Sequence, residues 1–225
     1  MGETVTLTAD DGHEFAAYRA GAKGAARGGL VVIQEIFGVN RHIRAVCDGY
    51  AADGYEAIAP ALFDRKEGGV ELDYDEDGIA AGRQLRQAVG WDGPIRDIAA
   101  AVSDLGEALG EGGKVGVIGY CWGGSLAWLA AARLEIACSS AFYGGQICQF
   151  RGEAPGCPIE LHFGENDTTI PAEDRALILE WHPELTVHLY PAGHGFSCDR
   201  RADFHAESAA LGRERTLALL ATHVG

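Results

Sequence analysis

Residues 114–134 read KVGVIGYCWGGSLAWLAAARL, and this stretch decides the fold. An apolar run ends in a G-x-C-x-G turn made by Gly119, Cys121 and Gly123, and an alanine-rich segment follows. The order strand, sharp turn, helix is typical of a nucleophile elbow, in which small residues let strand and helix approach closely while the central side chain is lifted above the sheet. The stretch therefore predicts an α/β architecture with Cys121 as its nucleophile.

This turn has two other interpretations. In the first, Cys121 is a buried and unreactive thiol in an ordinary strand-to-helix turn. In the second, the turn binds a dinucleotide, but the G-x-G-x-x-G pattern requires glycine at the position of Cys121. The second is therefore excluded, whereas the first stays open until an accompanying base and acid are found.

Short apolar runs recur along the chain and usually alternate with helical patterns. The runs that indicate buried strands are residues 30–34, 55–59, 115–120, 139–143, 159–163 and 186–190. The helical patterns cover residues 41–53, 76–89, 94–109, 123–133, 172–181 and 206–224. Such alternation predicts a mainly parallel sheet with helices on both faces.

Two further segments complete the expected organisation. Alternating residues on either side of Asp11-Gly12 predict an antiparallel hairpin at the N-terminus. Residues 62–77 are charged, contain glycine and lack periodicity, so we expect a solvated surface loop there. Because no repeat or linker interrupts the pattern, we expect residues 1–225 to form one α/β domain.

The charge balance excludes several classes of partner. The chain has 33 acidic and 18 basic residues and a formal net charge of −15, which opposes binding to nucleic acid or to an anionic membrane surface.

The N-terminal residues have neither a basic flank nor an apolar signal core, and no apolar run approaches the roughly 18 residues of a membrane span. We therefore expect a cytoplasmic protein, either a monomer or a small homo-oligomer, with a small-molecule substrate.

Cysteine spacing indicates reduced thiols and no metal. Six cysteines occur in 225 residues, and the two nearest in sequence, Cys148 and Cys157, are nine positions apart. Without a signal peptide, such cysteines are typical of reduced core residues, and there is no C-x-x-C pattern for zinc or redox chemistry. A structural zinc is not expected.

A base and an acid follow Cys121 in the order that acyl transfer on this fold requires. Asp167 follows the apolar run IELHFGEN, and His194 follows TVHLYPAG, with Gly193 and Gly195 on either side. In this arrangement His194 accepts the thiol proton and Asp167 orients its ring. The three residues together favour a reactive Cys121 over a structural one.

The loop QEIFGVN, residues 34–40, supplies two further candidates. An oxyanion hole needs the backbone N–H of Trp122, just after the nucleophile, and a second N–H from this loop, for which Ile36 has the natural position. Glu35 directly follows an apolar run. If its carboxylate approaches Cys121, its negative charge opposes ionisation of the thiol and keeps it protonated.

The segments QEIFGVN, GYCWGG, GENDTTIP and PAGHGF, in this order and spacing, closely resemble the dienelactone hydrolase family. The resemblance runs from the hairpin to the last helix and implies an α/β-hydrolase fold with a triad of Cys121, His194 and Asp167. It also implies that Glu35 bonds to the resting thiol and accepts its proton when substrate moves it. The implied reaction is hydrolysis of a small ester or lactone through an acyl-enzyme, without a cofactor.

The substrate-binding arginines depart from the family pattern. That pattern has an arginine four residues after the catalytic histidine, where this chain has Cys198, with Arg200 and Arg201 just beyond it. We take Arg83, near Arg86, and Arg200 as candidate anion-binding residues. Tyr143 and Phe37 are further candidate substrate contacts.

Two alternatives stay open because of these departures. One is an esterase or thioesterase for uncharged substrates. The other is a binding protein that has the hydrolase fold but turns over nothing, since one fold supports many functions.

Overall fold

The computed structural model describes residues 2–225. Eight strands cross this part of the chain: β1 (Glu3–Thr8), β2 (Glu14–Ala20), β3 (Gly28–Ile33), β4 (Tyr55–Pro60), β5 (Val115–Tyr120), β6 (Cys138–Phe142), β7 (Ile159–Gly164) and β8 (Thr186–Tyr190). They form one sheet in the order β1-β2-β4-β3-β5-β6-β7-β8. β1 and β2 are the predicted hairpin, β2 pairs antiparallel with β4, and all remaining pairs are parallel. The predicted fold class is confirmed.

Helices lie on both faces of this sheet. They are α1 (Arg41–Ala52), α2 (Glu76–Val89), α3 (Asp92–Leu109), α4 (Trp122–Arg133), α5 (Ala172–Trp181) and α6 (Ala206–His223). β3 contacts α1 and α3, β6 contacts α4 and α6, and every residue of β3, β5 and β6 is buried. Strands covered on both faces need mostly apolar residues, which is why they appear in the sequence as apolar runs, and the two buried serines of β6, Ser139 and Ser140, make hydrogen bonds. Within residues 2–225, no helix has the length and apolar character needed to cross a bilayer.

The predicted elbow joins β5 to α4. Cys121 has φ +56° and ψ −116°, a conformation that a residue with a side chain rarely adopts. A Cβ on Gly119 would lie 1.9 Å from the carbonyl oxygen of Gly123, and a Cβ on Gly123 would lie 2.5 Å from that of Gln34. The two glycines are therefore required for the close approach that holds Cys121 in this conformation.

The segment 62–77 differs from the expected solvated loop. Leu62 and Phe63 are buried within a short 3-10 turn, and the Phe63 ring stacks on Trp122 with 5.3 Å between ring centres. Farther along, Tyr74 is partly buried and donates a hydrogen bond to Glu35. Because charged residues alternate irregularly with these inward-facing ones, the segment lacks the periodicity by which buried structure is recognised.

Candidate active site

Cys121, His194 and Asp167 form a continuous hydrogen-bonded line at the carboxyl edge of the sheet. The Sγ of Cys121 lies 3.1 Å from Nε2 of His194, and Nδ1 of His194 lies 2.7 Å from Oδ2 of Asp167. The three residues follow β5, β8 and β7 respectively, and the carboxyl ends of parallel strands meet at one edge. The structure thus brings together the nucleophile, base and acid that the sequence suggested.

His194 is placed between two groups that stabilise its protonated form. Burial opposes a charged ring, but Cys121 and the Asp167 carboxylate outweigh it and raise the pKa of His194 to about 10. Burial also opposes ionisation of Asp167, yet hydrogen bonds from His194 and Thr169 lower the pKa of that carboxyl group. The arrangement therefore suits a histidine that takes a proton from sulfur and retains it while a negative charge develops nearby.

Thr169 holds the Asp167 carboxylate in position, and sequence reasoning did not identify it. Its Oγ1 donates a hydrogen bond of 2.6 Å to Oδ1 of Asp167, and its backbone N–H donates one of 2.8 Å to the same oxygen. The other carboxylate oxygen therefore remains directed at His194. A loop aspartate commonly accepts a hydrogen bond from the backbone two residues on, so the position of Thr169 in GENDTTIP was the available signal.

Ile36 and Trp122 are the residues whose backbone N–H groups the sequence suggested for an oxyanion hole, and Ile36 lines the same cavity as Cys121. Trp122 is the first residue of α4, where amides have no partner within the helix, and Ile36 lies in the loop after β3. In the described part of the chain, neither N–H makes a hydrogen bond with a protein group. Two amides beside Cys121 are thus available to a developing oxyanion.

Glu35 does not bond to Cys121 as the family resemblance implied. The carboxylate is fully buried and accepts hydrogen bonds from the hydroxyl of Tyr74 at 3.0 Å and from Nη1 of Arg201 at 3.4 Å. The cysteine sulfur instead lies beside His194. A buried carboxylate takes the partners that best offset its lost hydration, and here these are a phenol and a guanidinium. Neither partner was identified from the sequence.

A cavity of about 370 Å³ opens above Cys121 and His194. Phe37 and Arg83, two of the predicted substrate contacts, line it, as do Arg86 and Arg201. Among residues 2–225, neither Arg83 nor Arg86 forms an ion pair with an acidic residue. Asp203 is the acidic side chain on the cavity wall. The cavity therefore has an excess of positive charge in an acidic protein.

Arg200 and Tyr143 are not where the sequence analysis expected them. Arg200 does not line this cavity; it is half exposed, lies 3.7 Å from the carboxylate of Asp199, and Arg201 takes its expected place. Neighbouring residues of an irregular loop point their side chains in different directions, and these directions cannot be read from the spacing in the sequence. Tyr143 is fully buried outside the cavity, with its ring edge against His194 at 5.1 Å between ring centres. It thus supports the histidine rather than the substrate.

Comparisons with known proteins point to one family. The family model described as "Dienelactone hydrolase family" matches residues 15–224. The chain is 34% identical to carboxymethylenebutenolidase of Pseudomonas putida over 226 residues, which cover 97% of this chain and 96% of the relative. It is 30% identical to carboxymethylenebutenolidase 1 of Cupriavidus pinatubonensis, with 98% and 97% covered. A crystal structure assigned to the dienelactone hydrolases, from Klebsiella pneumoniae, is 28% identical with a TM-score of 0.83, covering 98% of this chain and 100% of that one.

Proposed function

Because this chain belongs to the dienelactone hydrolase family, we propose that it hydrolyses small esters or lactones through a thioester formed on Cys121. The observation that carries the proposal is the line of contacts from Sγ of Cys121 to His194 at 3.1 Å and from His194 to Asp167 at 2.7 Å. These groups are a nucleophile, a proton acceptor and the anion that orients the acceptor.

In the resting enzyme Nε2 of His194 holds the proton of the Cys121 thiol, and acylation begins when the sulfur attacks the substrate carbonyl carbon. The carbonyl oxygen becomes an oxyanion and accepts hydrogen bonds from the N–H groups of Ile36 and Trp122. As the oxyanion collapses, the carbon–oxygen bond of the ester breaks and His194 donates its proton to the leaving oxygen. In a lactone that oxygen stays attached to the acyl group.

In deacylation the same groups act on a water molecule. His194 takes a proton from water, the resulting hydroxide attacks the thioester, and the Cys121 thiolate leaves while His194 keeps the proton, which restores the resting state. The product is a carboxylic acid, and no cofactor takes part. A thiolate is a good leaving group, so esters and lactones are expected to react faster than amides, whose amine leaves less readily.

The cavity favours a substrate with a carboxylate beside the reacting bond. Arg83 and Arg86 are three positions apart on α2 and so lie on one helix face above Cys121. Guanidinium groups bind carboxylates through paired hydrogen bonds. Arg201 is already close to Glu35, which leaves the two arginines of α2 as the proposed anion-binding residues.

Replacement of the nucleophile and the base tests the reaction. We expect Cys121→Ala and His194→Ala to lose hydrolysis of an activated ester, and mass spectrometry of the wild type to trap a thioester on Cys121. Cys148→Ala, at a thiol outside the site, is the matched control and should keep full activity. Wild-type turnover by Cys121→Ala would rule out the mechanism, whereas binding without turnover in the wild type would favour a binding protein.

Substrate charge is tested separately, with lactones that differ by one carboxylate. We expect Arg83→Gln with Arg86→Gln to raise KM for the carboxylate-bearing lactone at least tenfold while leaving KM for the uncharged one nearly unchanged, because the lost contact involves the carboxylate alone. Equal effects on both lactones, or faster turnover of the uncharged one by the wild type, would favour an esterase for uncharged substrates.

A further inference from the structure

Three buried side chains of types that commonly bind metal ions meet outside the lining of the candidate active-site cavity. They are Glu35 from the loop after β3, His42 from the first turn of α1, and Cys198 from the loop after β8. One donor atom from each lies within 4.8 Å of the other two, and all three residues are buried. We call this group the EHC cluster. Cys198 is more than 150 positions from Glu35 and His42, so local spacing does not reveal the cluster.

His42 has a ring nitrogen whose bonding capacity is unused. Its Nδ1 lies 3.3 Å from the carboxylate of Asp199, which is well exposed. Its Nε2 is buried and makes no hydrogen bond with any described residue, although the side chain is only 7% exposed. A buried polar atom without a partner costs free energy, and such atoms in native structures often mark a site for a bound group.

We propose that the EHC cluster binds a divalent cation of the zinc type. A carboxylate oxygen, an imidazole nitrogen and a thiolate sulfur are the donor atoms that zinc uses, at about 2.0–2.3 Å, and three protein donors with a fourth position for water form a common zinc geometry. Sulfur and nitrogen donors also disfavour magnesium and calcium, which prefer oxygen throughout.

The contacts around the cluster fit this assignment. A tetrahedral ion at these bond lengths holds its donors roughly 3.4 Å apart, so the three side chains need to move by about 1 Å at most. The Asp199 carboxylate on Nδ1 of His42 is the partner that metal-binding histidines usually have, and it leaves the unpartnered Nε2 for the ion. On binding, the Cys198 thiol gives its proton to solvent and its sulfur electron pair to the metal.

The ion has to displace one contact that Glu35 now makes. Oε2 of Glu35 accepts from the neutral hydroxyl of Tyr74, and Oε1 lies 3.4 Å from the cationic Arg201. Loss of the neutral hydrogen bond costs less than loss of the charge-assisted one. Arg201 repels a cation, but the carboxylate and the thiolate together offset the two positive charges of the metal. Oε2 is therefore the oxygen assigned to the ion.

Occupation of the cluster affects the adjacent reaction, and this part rests on the proposed function. Glu35 directly precedes Ile36, whose N–H is assigned to the oxyanion, and its carboxylate holds Arg201 at the cavity wall. An ion that moves Glu35 also moves both of these groups. Metal binding is thus expected to lower hydrolysis without any contact between the ion and Cys121.

Cobalt binding tests the cluster independently of turnover. Co²⁺ replaces zinc and gives a thiolate-to-cobalt absorption band, and the Cys121→Ser background removes the other sulfur close to a histidine. We expect one equivalent of Co²⁺ to give the band in Cys121→Ser and in the control Cys121→Ser/Cys148→Ser. The band should be absent from Cys121→Ser/Cys198→Ser. A band that survives in that last variant, or is missing from Cys121→Ser, would overturn the proposal.

Two variants guard against a folding defect in the Cys198 variant. His42→Gln in the Cys121→Ser background should weaken Co²⁺ binding at least tenfold, and Asp199→Asn, at an exposed residue, should weaken it about tenfold through the histidine. Unchanged affinity in both variants would contradict the assigned donors. Zinc inhibition of otherwise wild-type enzyme should require at least tenfold more metal in His42→Gln. If the chain binds cobalt in this way but hydrolyses nothing, the proposed function alone fails.

Discussion

The guanidinium of Arg201, which lines the candidate active-site cavity, lies 3.4 Å from the fully buried carboxylate of Glu35. The arginine reaches it from the loop that also contains His194. Gly195 allows this approach, since it has φ +79° and a Cβ there would lie 2.5 Å from Nε of Arg201. One loop therefore supplies both the base and the charge that stabilises the buried acid.

Removal of that charge is expected to destabilise the protein. Arg201→Gln should lower the free energy of unfolding by about 3 kcal/mol, because it leaves a buried carboxylate without its cation. Arg200→Gln is the matched control: its ion pair with Asp199 is exposed, so a change within about 0.5 kcal/mol is expected. Urea denaturation measures the free energy of unfolding of both variants. Equal decreases in the two would contradict the ion pair between Arg201 and Glu35.

His194 is expected to remain protonated at neutral pH. Burial opposes its charge, but Cys121 and Asp167 raise its pKa to about 10, so Cys121→Ala should lower this value toward the ordinary one. NMR titration of the ring measures it, with Cys148→Ala as the unchanged control. A ring that titrates near pH 6.5 in the wild type would show that the thiol and carboxylate do not act as described.

The same shift predicts how stability depends on pH. The folded-state pKa lies above the unfolded value of 6.5, so protonation of His194 contributes stability that is fully present below about pH 6.5 and is lost as pH rises through about 10. The difference in unfolding free energy between wild type and His194→Gln should shrink over this range. A constant difference would contradict the raised pKa.

Thr169 is predicted to act as a positioning residue for Asp167. Thr169→Val removes the hydroxyl that donates to Oδ1 at 2.6 Å, so we expect kcat to fall about tenfold, which corresponds to about 1.4 kcal/mol. Thr169→Ser keeps the hydroxyl and should restore most of the rate. Steady-state kinetics measures kcat of both variants. Equally low values would show that Thr169 acts through packing and not by orienting the Asp167 carboxylate.

Gly82 is predicted to maintain the oxyanion hole from α2. A Cβ at this position would lie 2.0 Å from the carbonyl oxygen of Ile36, so Gly82→Ala must displace the loop whose N–H is assigned to the oxyanion. We expect kcat to fall by about 10²-fold, as on loss of one oxyanion donor, with little change in KM.

Gly106→Ala is the control for Gly82→Ala. It lies in α3 with open space around the position of a Cβ, and should raise stability by about 0.5–1 kcal/mol without affecting kcat. A wild-type kcat in Gly82→Ala would show that the loop tolerates the displacement.

The fold and the proximity of Cys121, His194 and Asp167 were predictable because each depends on local sequence. Buried parallel strands require apolar runs, and the elbow requires small residues at Gly119 and Gly123. Cys121, Asp167 and His194 each follow a strand, so the edge of the sheet brings them together whatever the details of the loops.

The remaining contacts depend on side-chain direction in irregular segments. Arg201 and not Arg200 lines the cavity, and Glu35 contacts Tyr74 and Arg201 and not Cys121. Neither contact could be predicted from the spacing of residues in the sequence. An irregular loop has no repeating geometry that would fix the directions of its side chains. The EHC cluster was missed for a related reason: Cys198 marked an altered family position, but its neighbours come from distant segments.

The loop that begins at Gly193 constrains how the protein can diversify. Within twelve residues it contains His194, which contacts Cys121, and Cys198 and Arg201, which both lie beside Glu35, so an insertion or deletion there disturbs all of these contacts at once. Helix α2 contributes Arg83 and Arg86 to the lining of the cavity but none of Cys121, Asp167 and His194. New substrate preferences are therefore expected to evolve by replacements on α2, while the loop after β8 keeps its length.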